Sequence, residues 1–230
     1  MKYTVEDLLE YLRKNSYLAK DSNFTEDDVD SLLNGTPEDV NYAYGASKMV
    51  LIPDEDVGFV LKIPFNGQYE TAYDEDDEPM DDYEFYGFGG ARFTSDGWNY
   101  CETEATVYEL AEEAGFETCF AKTEYVGDID GYPVYSQERA EIFYCRKNES
   151  EYSEETRSKT RDKCKELNIE SSINICWMTD FLAYYGEEML KAFMTFIFDN
   201  DIGDLHNDNI GYIGNRPVLI DYSGFCDCPY

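Results

Sequence analysis

The sequence predicts an α+β fold in which an antiparallel sheet is followed by a helical part. Three observations predict it. Apolar residues recur at helical spacing over residues 1–35, then give way to short β-branched and aromatic runs over residues 41–64. Strand-like and helix-like segments alternate again over residues 100–198. The chain then carries a polar loop, Ile202-Gly203-Asp204-Leu205-His206-Asn207-Asp208-Asn209, and a β-branched run, Val218-Leu219-Ile220, that ends in Asp221. With 230 residues, the chain suffices for one large domain or two small lobes, and 16% aromatic residues argue for a packed interior rather than disorder.

The elements follow in order. Val5, Leu8, Leu9 and Leu12 mark a first helix, and Thr25 caps a second that carries Val29, Leu32 and Leu33 before Asn34-Gly35. Residues 1–35 therefore read as a helical extension ahead of the sheet. Tyr42, Tyr44 and Met49 to Ile52 read as strands broken at Gly45, and Phe59-Val60-Leu61-Lys62-Ile63-Pro64 as a third strand after a turn at 53–56. Residues 70–84 are so acidic, with Pro79 among them, that they read as a solvated loop, which residues 87–90 extend; docking of a basic partner is the alternative. Tyr100 to Ala114 reads as a helix with Glu104, Val107, Leu110, Ala111 and Ala114 on one face and Gly115 at its end. Two strands, 121–126 and 133–138, flank a turn at 128–131.

Beyond residue 140 the pattern becomes helical. Arg146, Lys147, Arg157, Lys159, Arg161, Lys163 and Lys165 gather in one window beside Glu154 and Glu155. This reads as an exposed mixed-charge helix, with a local site for phosphate or an acidic substrate as the alternative. Helices at 175–185 and 186–198 precede the polar loop; a strand at 210–213, a turn at Gly214-Asn215 and a strand at 217–222 follow it. No internal repeat is visible. The division expected is an extension over 1–35, a sheet lobe over 36–140 and a helical lobe over 141–230.

Charge is the compositional outlier. Fifty acidic against 18 basic residues give −32. A surface of that sign repels phosphates, which argues against direct binding of nucleic acid or an anionic membrane. It serves solubility, or it attracts a basic partner. Seven scattered cysteines, odd in number and without a CxxC pair, predict reduced thiols and a cytoplasmic protein. Cys226 and Cys228 lack the further ligands that a zinc site needs. The N-terminus shows no signal-peptide pattern, and the longest strongly apolar stretch, 192–198, is too short to span a bilayer.

Lys62 interrupts an otherwise apolar strand, and burying its ammonium is costly unless it is paired. Glu104, on the predicted helix that follows the acidic stretch, is the partner expected; exposure of Lys62 on the other strand face is the alternative. Glu102 lies off the apolar face and is the weaker choice.

With these residues in order, the chain resembles the protein-kinase-like fold. Lys62 in Val60-Leu61-Lys62-Ile63 resembles its third-strand lysine, and Glu104 the glutamate of its first large helix. Gly203-Asp204-Leu205-His206-Asn207-Asp208-Asn209-Ile210 resembles the G-D-L-H-x-x-N-I catalytic loop of bacterial kinase-like phosphotransferases, including aminoglycoside and choline kinase relatives. Asp221-Tyr222-Ser223-Gly224 stands where kinases carry D-F-G. The resemblance spans residues 40–225 and is most specific in the loop. It implies ATP and Mg²⁺ as cofactors: Lys62, held by Glu104, grips the α and β phosphates, Asn209 and Asp221 hold Mg²⁺, and Asp204 orients or deprotonates the acceptor hydroxyl. Gly45 and Ser47 stand in the phosphate-covering loop, and backbone groups near Glu138 and Ala140 meet adenine. His206 is mainly structural in the resembling loop.

The resemblance also departs from the pattern. The 44–48 loop has one glycine, Ile202 replaces the usual histidine, and the chain ends soon after Asp221, which implies a truncated helical lobe. The N-terminal helices or a partner chain are the expected brace for the loop. Two functions follow. One is a compact Mg-ATP phosphotransferase whose acceptor is a cationic small molecule or a basic protein. The other is a degenerate pseudokinase, bacterial or phage in origin, that inhibits a basic or nucleic-acid-binding partner as phage anti-defence proteins do.

Overall fold

A computed structural model describes residues 3–19, 26–44, 48–54, 57–64, 69–73, 79–85 and 99–223. In chain order the elements are α1 (Val5–Asn15), α2 (Glu26–Asn34), β1 (Asn41–Tyr44), β2 (Lys48–Ile52), β3 (Phe59–Pro64), β4 (Tyr69–Tyr73), β5 (Pro79–Phe85), α3 (Tyr100–Ala114), β6 (Thr123–Ile129), β7 (Tyr132–Glu138), β8 (Glu141–Ile142), α4 (Phe143–Arg146), α5 (Glu154–Glu166), α6 (Ile175–Tyr185), α7 (Glu187–Asp199), β9 (Ile210–Ile213) and β10 (Arg216–Leu219). The fold is α+β, as the sequence predicts. The chain divides into two units, Met1–Thr103 with Thr123–Gln137, and Glu104–Lys122 with Glu138–Tyr230. Among the described residues, no helix is long and apolar enough to cross a membrane.

The first unit is built on a five-stranded sheet of order β1-β2-β3-β7-β6. β1 pairs with β2, β2 with β3 and β6 with β7, all antiparallel. The two N-terminal helices belong to its core. Thr4 caps α1 by accepting the Asp7 N–H at 3.1 Å, and the Asp7 carboxylate accepts the Thr4 N–H in return. Leu8, Leu9 and Leu12 of α1 and Val29 and Leu32 of α2 are buried with Met49, Leu51, Leu61, Ile63 and Val134 of the sheet. Polar contacts fix the same packing: Arg13 Nε donates to the Asp128 carbonyl at 2.7 Å, and the Leu18 N–H to Asp130 at 2.8 Å.

Strand alternation decides where Lys62 lies. Leu61 and Ile63 enter the core beneath the helices, so Lys62 and its cross-strand partner Val50 face the opposite side of the sheet. Lys62 is only 3% exposed there, which rules out the solvent-facing alternative.

The β6–β7 turn is tighter than expected. Asp130 and Gly131, at φ 50° and 92°, form a two-residue hairpin, and the strands run up to Ile129 and Tyr132 on either side. The acidic stretch is also corrected. Tyr69–Tyr73 and Pro79–Phe85 pair antiparallel, with Tyr69 opposite Phe85 and Thr71 opposite Tyr83. The tyrosines, threonine and phenylalanine that favour strands alternate there with acidic residues, so the period-2 signal lay under the charge. Residues 74–78 and 87–90 lie outside the described residues.

The second unit holds helices α5 to α7 and a three-stranded sheet of order β10-β9-β8. Phe120, Phe143, Trp177, Phe181, Phe193 and Tyr222 fill its core, and the Phe181 and Phe193 rings stack at 4.7 Å. Glu104, Val107 and Ala111 are buried on α3, but Leu110, expected on the same face, is 41% exposed. Gly186, at φ 87°, breaks the apolar run into α6 and α7. α5 is the mixed-charge helix the sequence predicts: Arg157 and Arg161 pair with Glu154, Lys159 with Glu155, and Lys163 with Glu166 and Glu187. β10 ends at Leu219, three residues short of the strand expected from the sequence.

Candidate active site

The polar loop leaves α7 through Asp201, whose φ is 52°, and enters β9 at Ile210. Its apolar members anchor it, since Ile202 and Leu205 are 3% and 6% exposed. Asp204 between them stays half-buried. Apolar residues on either side of a polar one thus hold the carboxylate at the surface of a fixed turn.

Asn209 is the hub of the loop. Its side-chain amide donates to the Asp204 carbonyl at 2.6 Å, its backbone N–H donates to the His206 carbonyl, and its own carbonyl accepts the Ile220 N–H at 2.8 Å. The last bond ties the loop to the residue before Asp221. Asn209 is 7% exposed, so these bonds satisfy groups that have lost water. The structure thus brings Asp204, Asn209 and the start of the Asp221 segment together within the second unit.

Asp221 is half-buried, and its Oδ1 accepts the Ser223 hydroxyl at 3.1 Å. Tyr222 replaces the phenylalanine of the resembling motif without loss of packing. It is 1% exposed, its ring meets Phe120 edge-on at 4.9 Å, and its hydroxyl donates to the Ala121 carbonyl at 2.7 Å.

His206 lies beside the carboxylate. Its Nδ1 accepts the Asp208 N–H at 3.2 Å, and its Nε2 lies 3.7 Å from the Asp204 Oδ2. The ring is half exposed and braces the turn, in keeping with a structural role.

The donor set fits a hard cation. The Asn209 nitrogen is engaged by Asp204, so its amide oxygen is the atom left for a metal, and Asp221 adds a carboxylate. Among the described residues no group of three or more His, Cys, Asp or Glu could hold an ion. Mg²⁺ does not need one, because it keeps several waters and takes phosphate oxygens for the rest.

Other expected residues stand differently. Lys62 lies in the first unit and Glu104, 0% exposed, in the second. Gly45 and Ser47 lie outside the described residues, as do Gly224, Cys226 and Cys228. Glu138 donates its N–H to the Lys122 carbonyl at 2.9 Å. Its carboxylate accepts the Lys122 N–H and Arg216, both at 3.1 Å. Ala140 is half-buried on the loop that follows.

Two polar clusters had gone unread in the sequence. Asn174 caps α6 and reaches the loop at Asn207; an Asn just before an apolar helical run was the available signal. Asp180 of α6 accepts the hydroxyls of Tyr152 and Tyr212 on one oxygen, with Lys147 at 3.7 Å. Burial first, and then the bond to Asp180, push both tyrosine hydroxyls above their ordinary range. No local pattern announces that cluster.

A buried lysine on β3, a helix with a buried glutamate, the polar loop after a helix and a hairpin leading to an Asp follow one another in the chain. No family model and no curated protein matches the sequence. Among solved structures, the chain is similar to one in a streptomycin–ATP–APH(2")-IIa ternary complex, at 14% identity and a TM-score of 0.29. The match covers 81% of this chain and 66% of that one, so this chain spans just under two thirds of its length.

Proposed function

We propose that the chain is a kinase-like phosphotransferase that binds Mg-ATP and acts on a hydroxyl group. The observation that carries this reading is the double tie at Asn209, to the Asp204 carbonyl through its side chain and to Ile220 through its backbone. It couples the carboxylate that would handle the acceptor to the two oxygen donors that would hold a metal.

The roles follow from phosphoryl-transfer chemistry. Lys62 carries a buried positive charge suited to phosphate oxygens. Asp204 orients the acceptor hydroxyl and takes its proton as the new oxygen–phosphorus bond forms and the bond to ADP breaks. Mg²⁺, when bound through Asn209 and Asp221, supplies charge neutralisation on the phosphates. The net charge of −32 suits an acceptor that is cationic, either a small molecule or a basic protein.

Calorimetric titration of ATP with and without Mg²⁺, on the wild type and on Asp221→Ala, tests the reading. Mg-dependent binding that the substitution abolishes is the expected result. No binding at millimolar ATP would overturn it and leave the acidic, non-enzymatic binding protein as the reading to pursue with basic partners.

A further inference from the structure

The polar loop is anchored by the buried Ile202 and Leu205 and by the Asn209 ties to the Asp204 carbonyl and to Ile220. Its other internal hydrogen bonds, Leu205 N–H to Gly203 and Asn209 N–H to His206, are local turns. Asn207 adds side-chain ties to residues outside the loop. Its Oδ1 accepts from the Asn174 amide at 2.9 Å, and its Nδ2 donates to the Tyr144 hydroxyl at 2.7 Å. Both ends of the side chain are thus used.

The two partners are themselves held. Asn174 accepts the Cys176 N–H as the cap of α6 and donates to Glu149 at 2.8 Å. Tyr144 and Glu149 flank Arg146, whose guanidinium donates to the Gly214 carbonyl and to Asn215 at 2.7 Å in the β9–β10 turn. The 143–151 segment therefore grips the loop at one end and the hairpin leading to Asp221 at the other.

We infer that Asn207 is a positioning residue that, through Asn174 and Tyr144, sets the orientation of the 204–209 loop and so aims the Asp204 carboxylate and the Asn209 amide. Its consequence for metal binding rests on the nucleotide reading above; its geometry does not. The 143–151 segment thus braces the loop from within the second unit.

Asn174→Ser and Tyr144→Phe, singly and together, test the inference. Serine still caps α6 but is shorter and lacks the amide that donates to Asn207 and Glu149, and phenylalanine removes only one hydroxyl from a residue that is 53% exposed. The first readout is amide hydrogen exchange in the ligand-free protein. Exchange at Leu205 and Asn209 rises about tenfold in the double variant while α6 and α7 keep their protection. The second is Mg²⁺ titration at fixed ATP. Apparent Mg²⁺ affinity falls about tenfold, as for other residues that orient metal ligands, while ATP affinity without Mg²⁺ is unchanged.

Unchanged exchange in the loop overturns the inference, and so does a loosened loop with wild-type Mg²⁺ affinity. A wild type that binds no Mg-ATP, with variants whose loop still loosens, supports the positioning role and sinks the nucleotide reading instead. If Asn174→Ser unfolds α6, Tyr144→Phe alone decides.

Discussion

Arg216 reaches the Glu138 carboxylate across 3.1 Å and also donates to the Thr118 carbonyl at 2.8 Å. With the Lys122 N–H on the same carboxylate oxygen, this makes Glu138 a clamp between β10 and the segment entering β6. The clamp commits the carboxylate and the N–H of Glu138 to structure.

Arg216→Ala should therefore cost stability. Charge-assisted bonds of this kind contribute about 1.5–3 kcal/mol when buried, and partial exposure of both groups reduces that to about 1–2 kcal/mol. Urea denaturation of Arg216→Ala, Glu138→Ala and the double variant checks it. Additive losses would show that the pair is not coupled.

Asp180→Asn should be more costly. One carboxylate oxygen takes two tyrosine hydroxyls, with the Tyr212 bond at 2.6 Å, and joins α6 to β9 and to the turn before α5. The amide gives a weaker acceptor, and a loss of about 1.5–3 kcal/mol is expected. Tyr152→Phe and Tyr212→Phe should each lose less, because each leaves the other bond in place. A thermal melt of Asp180→Asn that matches wild type would show the cluster to be incidental.

How far the sequence could be read follows the range of the signals. α1, α3, α6, β3 and β9 were legible because periodicity and caps are local, and Gly186 and Asp130-Gly131 punctuate the chain with backbone conformations that few other residues adopt. Asp204, Asn209 and Asp221 stood out because their spacing is itself the signal, and the structure bonds Asn209 to Asp204 and to the residue before Asp221. The β4–β5 hairpin was missed because charge masked a period of two. Asn207 meets Asn174 and Tyr144 only through tertiary folding, and Glu138 meets Arg216 in the same way, so no window of sequence contains either relationship. Leu110 had the right phase on α3 yet is exposed, since periodicity gives a face and not what covers it.

Stability should fall in alkali. Burial pushes the Cys119 thiol up to about 12 from its ordinary value of 9.0, and it raises the Tyr152, Tyr185 and Tyr212 hydroxyls as well. A group whose folded pKa is raised adds stability that is complete below its unfolded pKa and is lost as pH climbs through the folded one. The thiol's share is therefore intact below pH 9 and disappears toward pH 12. Chemical denaturation from pH 7 to 11 should show a decline that begins near 9 and steepens where unfolded tyrosines ionise, at about 10. Cys119→Ala should flatten the first part. A stability that stays level to pH 11 would contradict this.

Lys62 offers the sharpest separation of fold from function. The ammonium is buried on the sheet face opposite the helical core, 3% exposed, where desolvation of a charge costs several kcal/mol. Methionine keeps the length of the stem and removes the charge. If Lys62 is kept for a structural ion pair, Lys62→Met strands its partner and destabilises the fold by about 3–5 kcal/mol. If the paired lysine also grips phosphate, ATP affinity falls at least about tenfold as well, in line with the loss of one charge-assisted bond. The nucleotide reading predicts both losses. Paired thermal melts and ATP titrations of Lys62→Met separate a purely structural pair from one that serves phosphate, and wild-type ATP affinity in the variant would remove Lys62 from the site.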